Sequence, residues 1–245
     1  MMLPEHGKIE CRVCYQGIKE KVFEPALHWR MVNNPGAWGS SNPEYLVLGF
    51  SKGFTQANLF EQERFEDVAF AKMRNRLTKA LHVVDVLEHD CCVDSKIEAP
   101  HSNIAFGSLI RCSVSKAEIK NGLNCGYSCI GPVINRAFQE IPQIIENCTD
   151  RYLRDLPKSI RAVILLGNSD AYLKSIRTVL KRLFSDTFKQ INDVSIQADG
   201  FLWVHVSHPS GLNGHFNKWL TSENNSGIKR KQAIEGLSYI SNKKD

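Results

Sequence analysis

The sequence predicts an α/β domain, a three-layer α/β/α sandwich around a central, mainly parallel four-stranded sheet. Three observations carry that prediction. Four short apolar runs, each ending in glycine or polar residues, read as buried strands. Stretches with helical apolar spacing separate them, and such alternation favours parallel pairing through helical crossovers. A chain of 245 residues, 42% of them hydrophobic, is long enough to bury one core of this kind.

The first 43 residues are expected to be irregular, because Pro4, Pro25, Pro35-Gly36, Gly39 and Pro43 interrupt any long element. Tyr45-Leu46-Val47-Leu48-Gly49 is the first strand, ending in a glycine that opens a loop. Residues 65–86 carry apolar side chains at Phe65, Val68, Ala69, Met73, Leu77, Ala80 and Leu81, the stripe of a helix. Residues 104–110 form the second strand, and 130–145 are again helical in spacing. Residues 161–167 are almost continuously apolar, as a sheet centre requires. Asn168-Ser169-Asp170 then caps a helix running to about Phe184. Leu202-Trp203-Val204-His205-Val206 is the fourth strand, leading straight into Ser207-His208-Pro209-Ser210, and 228–240 form a basic amphipathic helix. In parallel sheets ligands bind beyond the carboxyl ends of the strands. That rule gathers residues 49–58, 108–112 and 208–213 around one cleft.

The charge balance, 31 Lys+Arg against 26 Asp+Glu, permits a polyanionic partner without demanding one. No secretory signal opens the chain, and no apolar run approaches the roughly 20 residues of a membrane span. A soluble, cytoplasmic, monomeric protein without membrane partners is expected. In that compartment the eight cysteines stay reduced and read as metal ligands or core residues. Cys11-Arg12-Val13-Cys14 is a Cys-x2-Cys pair, and Cys112, Cys125 and Cys129 form a later group. Four thiolates drawn from both would staple the arm of residues 1–43 to the body, around zinc or a [4Fe–4S] cluster. Cys91, Cys92 and Cys148 read as small buried residues.

Four features, in this order, resemble the uracil-DNA glycosylase superfamily, its iron–sulfur branches in particular. They are the glycine-containing loop 49–58, a strand ending in Arg111-Cys112, Cys129 directly ahead of a helix, and His208-Pro209-Ser210 in the last loop. The resemblance runs over about residues 9 to 240 and implies one glycosylase-like domain across residues 1–245. It implies a [4Fe–4S] cluster on Cys11, Cys14, Cys112 and Cys129, with Cys125 as rival fourth ligand and zinc the less favoured metal. It also implies that DNA, duplex or single-stranded, presents a flipped nucleotide. His208 would donate to the oxyanion developing on the leaving base. Pro209 and Ser210 would press on the backbone, and Leu212 would fill the vacated stack.

The base pocket would be built from Gly49, Phe50, Ser51, Phe65 and Ser108. Four positions in or beside it depart from the uracil-excising pattern. Phe50 and Ser51 stand where relatives carry the acid or amide that orients water, Lys52 where they carry proline, and Ser108 where an asparagine reads uracil. Asp67 is the expected replacement for the water-orienting group, with Phe65 stacking on the base. Gly107 and Ser108 are expected to leave room for a bulkier base. Lys52 is expected first as a phosphate contact, then as a surface charge, then as an amine nucleophile. Lys229, Arg230 and Lys231, with Lys218, Lys243 and Lys244, would add a basic DNA-facing surface.

The expected function is a monofunctional DNA glycosylase that removes a modified pyrimidine, such as a bulky cytosine of foreign or phage DNA, and leaves an abasic site. The alternatives are an ordinary uracil-DNA glycosylase of base-excision repair, a non-catalytic DNA-binding sensor of the same fold, and a zinc-bound structural module.

Overall fold

The computed structural model describes residues 2–241. Twelve strands are defined: β1 Gly7–Lys8, β2 Val22–Phe23, β3 Trp29–Val32, β4 Gly36–Gly39, β5 Tyr45–Gly49, β6 Ile104–Ser108, β7 Ser113–Lys120, β8 Leu123–Ser128, β9 Ala162–Leu166, β10 Lys189–Gln190, β11 Ser195–Ala198 and β12 Phe201–Val206. The helices are α1 Phe54–Leu59, α2 Phe65–Val68, α3 Arg74–Val83, α4 Val93–Ile97, α5 Pro132–Glu140, α6 Pro142–Leu153, α7 Asp170–Leu183, α8 Phe216–Thr221 and α9 Asn225–Ser241.

The main sheet has eight strands in the order β1-β4-β6-β5-β9-β12-β11-β10. Its centre, β6-β5-β9-β12, is parallel and consists of the four strands that the apolar runs predict. Antiparallel strands extend both edges, so the expectation of four strands is corrected to eight. The extra strands are two to four residues long and too short to stand out as apolar runs.

Side chains alternate across the sheet with the period of two that the pleat imposes. Leu46, Leu48, Val163, Leu165 and Trp203 pack with Ile144 and Ile145 of α6 and Ile176 and Leu180 of α7. Val47, Ile164, Leu166, Val204 and Val206 pack with Leu77 and Leu81 of α3, Ile97 of α4 and Trp219 of α8. Helices on both faces explain why β9 is apolar throughout.

Two predicted helices are each broken in two. After Val68 the backbone turns extended at Ala69, and Phe70 and Lys72 adopt φ of 52° and 65°. The apolar spacing survives because α2, the turn and α3 all bury into one cluster. The second break falls at Pro142, which cannot donate to a preceding turn and instead starts α6 in its favoured first position.

The N-terminal arm is not irregular. It gives β1 and β4 to the main sheet, and it gives β2 and β3 to a second sheet ordered β2-β3-β7-β8. Trp29 and Met31 of β3 are completely buried. Strands β7 and β8 form a hairpin between Cys112 and α5, a stretch to which the sequence assigns no element. Its turn, Asn121-Gly122, has φ of 50° and 77°, the left-handed pair that an Asn-Gly hairpin turn favours. Among the described residues no helix is long and apolar enough to cross a membrane.

Candidate functional site

Strand β12 delivers His208 to the carboxyl end of the parallel sheet, two residues beyond Val206. The backbone N–H of Ser210 donates to His208 Nδ1 at 3.1 Å. An accepting Nδ1 must be unprotonated, so the ring proton sits on Nε2. Burial, reinforced by the Arg76 guanidinium, lowers the His208 pKa to about 4, and the imidazole is neutral at neutral pH. The loop itself is locked by Asn213. Its Nδ2 donates to Ser207 Oγ at 3.1 Å and to the His208 carbonyl at 2.8 Å, while Oδ1 accepts from the His215 N–H at 3.1 Å. Arg76 in turn donates to the Asn213 carbonyl at 3.0 Å. Pro209 is buried, and Leu212 is 79% exposed beside it.

These residues border a cavity of about 640 Å³. His208, Ser210 and Leu212 line it together with the 166–170 turn, Tyr172, residues 129–132, Ile134 and Asn135. The turn holds because Gly167, at φ 134°, passes under the Tyr172 ring, where a Cβ would come within 2.9 Å. Ser169 caps α7 by accepting from the Tyr172 N–H at 3.4 Å. Lys229 closes another side, donating to the Asn168 carbonyl at 2.9 Å and to Asp170 at 2.7 Å.

One histidine behind this wall escapes sequence reasoning because it sits inside an apolar strand. His205 is 1% exposed, its Nδ1 lies 2.7 Å from the Gly167 carbonyl, and Tyr172 meets it edge-on. Burial lowers its pKa to about 4.

The remaining predicted site residues are placed elsewhere. Gly49, Ser51, Lys52, Gly107 and Ser108 border a separate hollow of about 20 Å³, room for one water but not for a base. Space beside Gly107 is already taken: a Cβ there would lie 1.8 Å from the Arg111 guanidinium. Ser108 is buried and donates to the Ile110 carbonyl at 2.7 Å. The enlarged pocket expected at these two residues is therefore corrected. Phe50 is core, packed against Phe138 and Tyr172. Phe65 spends one ring face on Trp38, stacked at 4.6 Å with planes 10° apart. Asp67 is exposed on α2, and neither it nor Phe65 lines the His208 cavity.

Lys52 is not a surface cation. It is 3% exposed, donates to the Arg111 carbonyl, and lies 5.6 Å from the centre of the Phe60 ring. Burial lowers its pKa to about 8. Its ammonium is turned to the Arg111 carbonyl inside the fold and not to the surface where a phosphate contact is expected. The C-terminal basic run is largely engaged within the fold. Arg230 caps α8 through the Trp219 and Leu220 carbonyls, and Arg230 and Lys231 both pair with Glu223. Lys218 is exposed, while Lys243 and Lys244 lie outside the described residues.

The cysteines regroup as well. A Cys11 thiolate would act electrostatically on Cys14, Cys112 and Cys148; Cys14 acts on Cys112 and Cys148, and Cys112 acts on Cys148. These couplings put the four in one region of the fold. Cys129 belongs instead beside Ser51, whose Oγ lies 3.4 Å from its sulfur, and Tyr172. Cys125 and Cys92 are exposed, and Cys91 is half-buried. Cys148 is buried in the apolar core as expected, on α6, where the preceding Asn147 donates to Cys14 at 3.4 Å; Cys91 and Cys92 are not core. Burial raises the thiols of Cys14, Cys112 (to about 11) and Cys148 (to about 12).

The surroundings test whether a metal group fits. Lys52 and Arg111 are buried cations, Arg111 Nε has no hydrogen-bond partner, and among the described residues no carboxylate pairs with either. Arg111 lies over the Tyr152 ring, 5.2 Å from its centre, with Cys148 also near it, and Cys112 and Cys148 lie near Lys52. Burial of these cations is met by the Arg111 carbonyl at Lys52 and by the Tyr152 ring at Arg111. Among the described residues no three His, Cys, Asp or Glu side chains converge as around a single ion.

No family model matches the chain, and no curated protein matches it.

Proposed function

We propose that the chain is a DNA glycosylase that hydrolyses the N-glycosidic bond of a flipped-out, modified pyrimidine. The observation that carries this reading is a neutral His208 whose proton is held on Nε2 at the edge of a cavity of about 640 Å³, with exposed Leu212 on the same loop. As the C1′–N bond breaks, its electron pair leaves with the base and charge gathers on a ring oxygen. An Nε2–H placed by a locked loop stabilises that charge, and one such donor is worth roughly 2.7–4 kcal/mol of barrier. Water then bonds to C1′ and its proton passes to solvent. The cavity falls in the range of about 300–1,000 Å³ that encloses a drug-sized ligand, so it suits a pyrimidine carrying a bulky substituent. Helices on both sheet faces fit the three-layer α/β/α arrangement that the alternation of apolar runs and helical stretches predicts.

Cys11, Cys14, Cys112 and Cys148 would hold a [4Fe–4S] cluster, which supplies an anionic anchor between the arm and the body. Lys52 and Arg111 would balance its charge.

The test is release of base from oligonucleotides carrying uracil, hypoxanthine or glucosylated hydroxymethylcytosine, each followed by alkali. Cleavage of the bulky cytosine in preference to uracil is the expected result; preferred uracil release would return the ordinary repair enzyme. One observation favours a DNA-binding sensor instead: Asp67 stands away from the cavity. A sensor would bind modified DNA and release nothing.

A further inference from the structure

The β7–β8 hairpin leaves the body halfway along its length. Its inner part is anchored: Ser113, Val114 and Ser115 are buried and pair with β3, and Lys116 bonds Glu140. Every residue from 118 to 125 is exposed, including Ile119 at 42% and Leu123 at 71%. Two-stranded ribbons are marginal on their own, and apolar side chains at a bare tip gain nothing from water. The left-handed Asn121-Gly122 turn keeps this ribbon in shape.

Its register is informative. Ile119 pairs with Asn124 and Lys120 pairs with Leu123, so the two pairs lie on opposite faces, each with one apolar and one polar residue. A ribbon that docks flat on a protein would carry its apolar residues on one face. Both faces are furnished here, as suits an element entered into a groove with a wall on either side. The root of the ribbon supplies the position. Strand β8 runs directly into Cys129, Ile130, Gly131 and Pro132, which line the His208 cavity, and Ile130 is 50% exposed. From Ser128 to Leu123 the strand spans about 17 Å. The major groove of DNA admits a two-stranded ribbon.

We propose that this hairpin is a DNA-grasping arm: with a nucleotide in the cavity, its tip enters a groove of the adjoining duplex, where Ile119 and Leu123 make apolar contact and Lys120 meets phosphate. The inference rests on the glycosylase reading and extends it from the flipped nucleotide to the flanking double helix. A single strand has no groove, so the arm makes the protein prefer duplex.

The experiment measures binding to a duplex with a stable abasic-site analogue, and to the same strand alone, by fluorescence anisotropy. Two variants are compared with the full chain: one with residues 118–125 replaced by an Asn-Gly turn, and the exposed double substitution Ile119→Ser/Leu123→Ser, which leaves the fold's core untouched. Both should lose about tenfold or more of duplex affinity, with single-strand affinity and single-strand base release within about twofold. An environment-sensitive dye on Cys125, in a Cys92→Ser background, should respond to duplex and not to single strand. Unchanged duplex affinity with a silent dye overturns the arm while leaving the glycosylase in place. Absence of both DNA binding and base release by the full chain overturns the two together.

Discussion

At the scale of single residues, the protonation of His208 decides what the site can do. Its Nδ1 is occupied by the Ser210 N–H, and its pKa is lowered to about 4 by burial and Arg76. A neutral donor does not need protonation, so kcat/KM should stay flat from pH 8 down to about 5; a loss of rate centred near pH 6.5 would show that the imidazolium or its titration matters. Stability should behave differently. His205 and His208 have folded-state values depressed below the ordinary 6.5, so the unfolded chain binds protons that the folded one refuses. Their contribution is complete above pH 6.5 and is lost as pH falls toward 4. Chemical unfolding at a series of pH values should show this slope, and His205→Gln should flatten it. Lys52 shows why some residues are illegible in sequence. A lysine beside a loop reads as surface, and only the fold brings Trp38, Phe60 and the Arg111 carbonyl around it.

Elements were legible where one physical signal dominated. The four apolar runs became the parallel strands because burial on both faces leaves no room for polar side chains. The Ser169 cap was readable for the same local reason: its side chain answers a free N–H of α7. Short edge strands and the β7–β8 hairpin were not, since their pairing partners lie far away in sequence. Gly107 in β6 illustrates a packing requirement that sequence alone reads backwards, as space rather than as space already filled. Gly107→Ala would force the buried Arg111 guanidinium out of place. A destabilisation of at least about 3 kcal/mol is expected in denaturant melts, as for other disruptions of buried charge. An unaltered melting midpoint would mean that Arg111 is free to move.

For the molecule as a whole, the proposed cluster would join the arm to the body, as the sequence predicts, but through a fourth cysteine that spacing did not select. Cys11 and Cys14 come from the arm, Cys112 follows β6, and Cys148 sits on α6, whereas the spacing pointed to Cys129. Iron content after anaerobic purification separates the two assignments. Cys148→Ser should lose the cluster and its brown absorbance, and Cys129→Ser should keep both. The opposite pattern would restore Cys129 as the ligand.

Base excision itself is the claim on which the rest depends. The most direct measurement is alkali-sensitive cleavage of a duplex carrying glucosylated hydroxymethylcytosine, by the unaltered chain and by His208→Ala. Cleavage by the first and a loss of about 10²–10³ in kcat for the second, with DNA binding retained, are expected. Equal cleavage by both proteins, or none by either on any modified base, would contradict that claim.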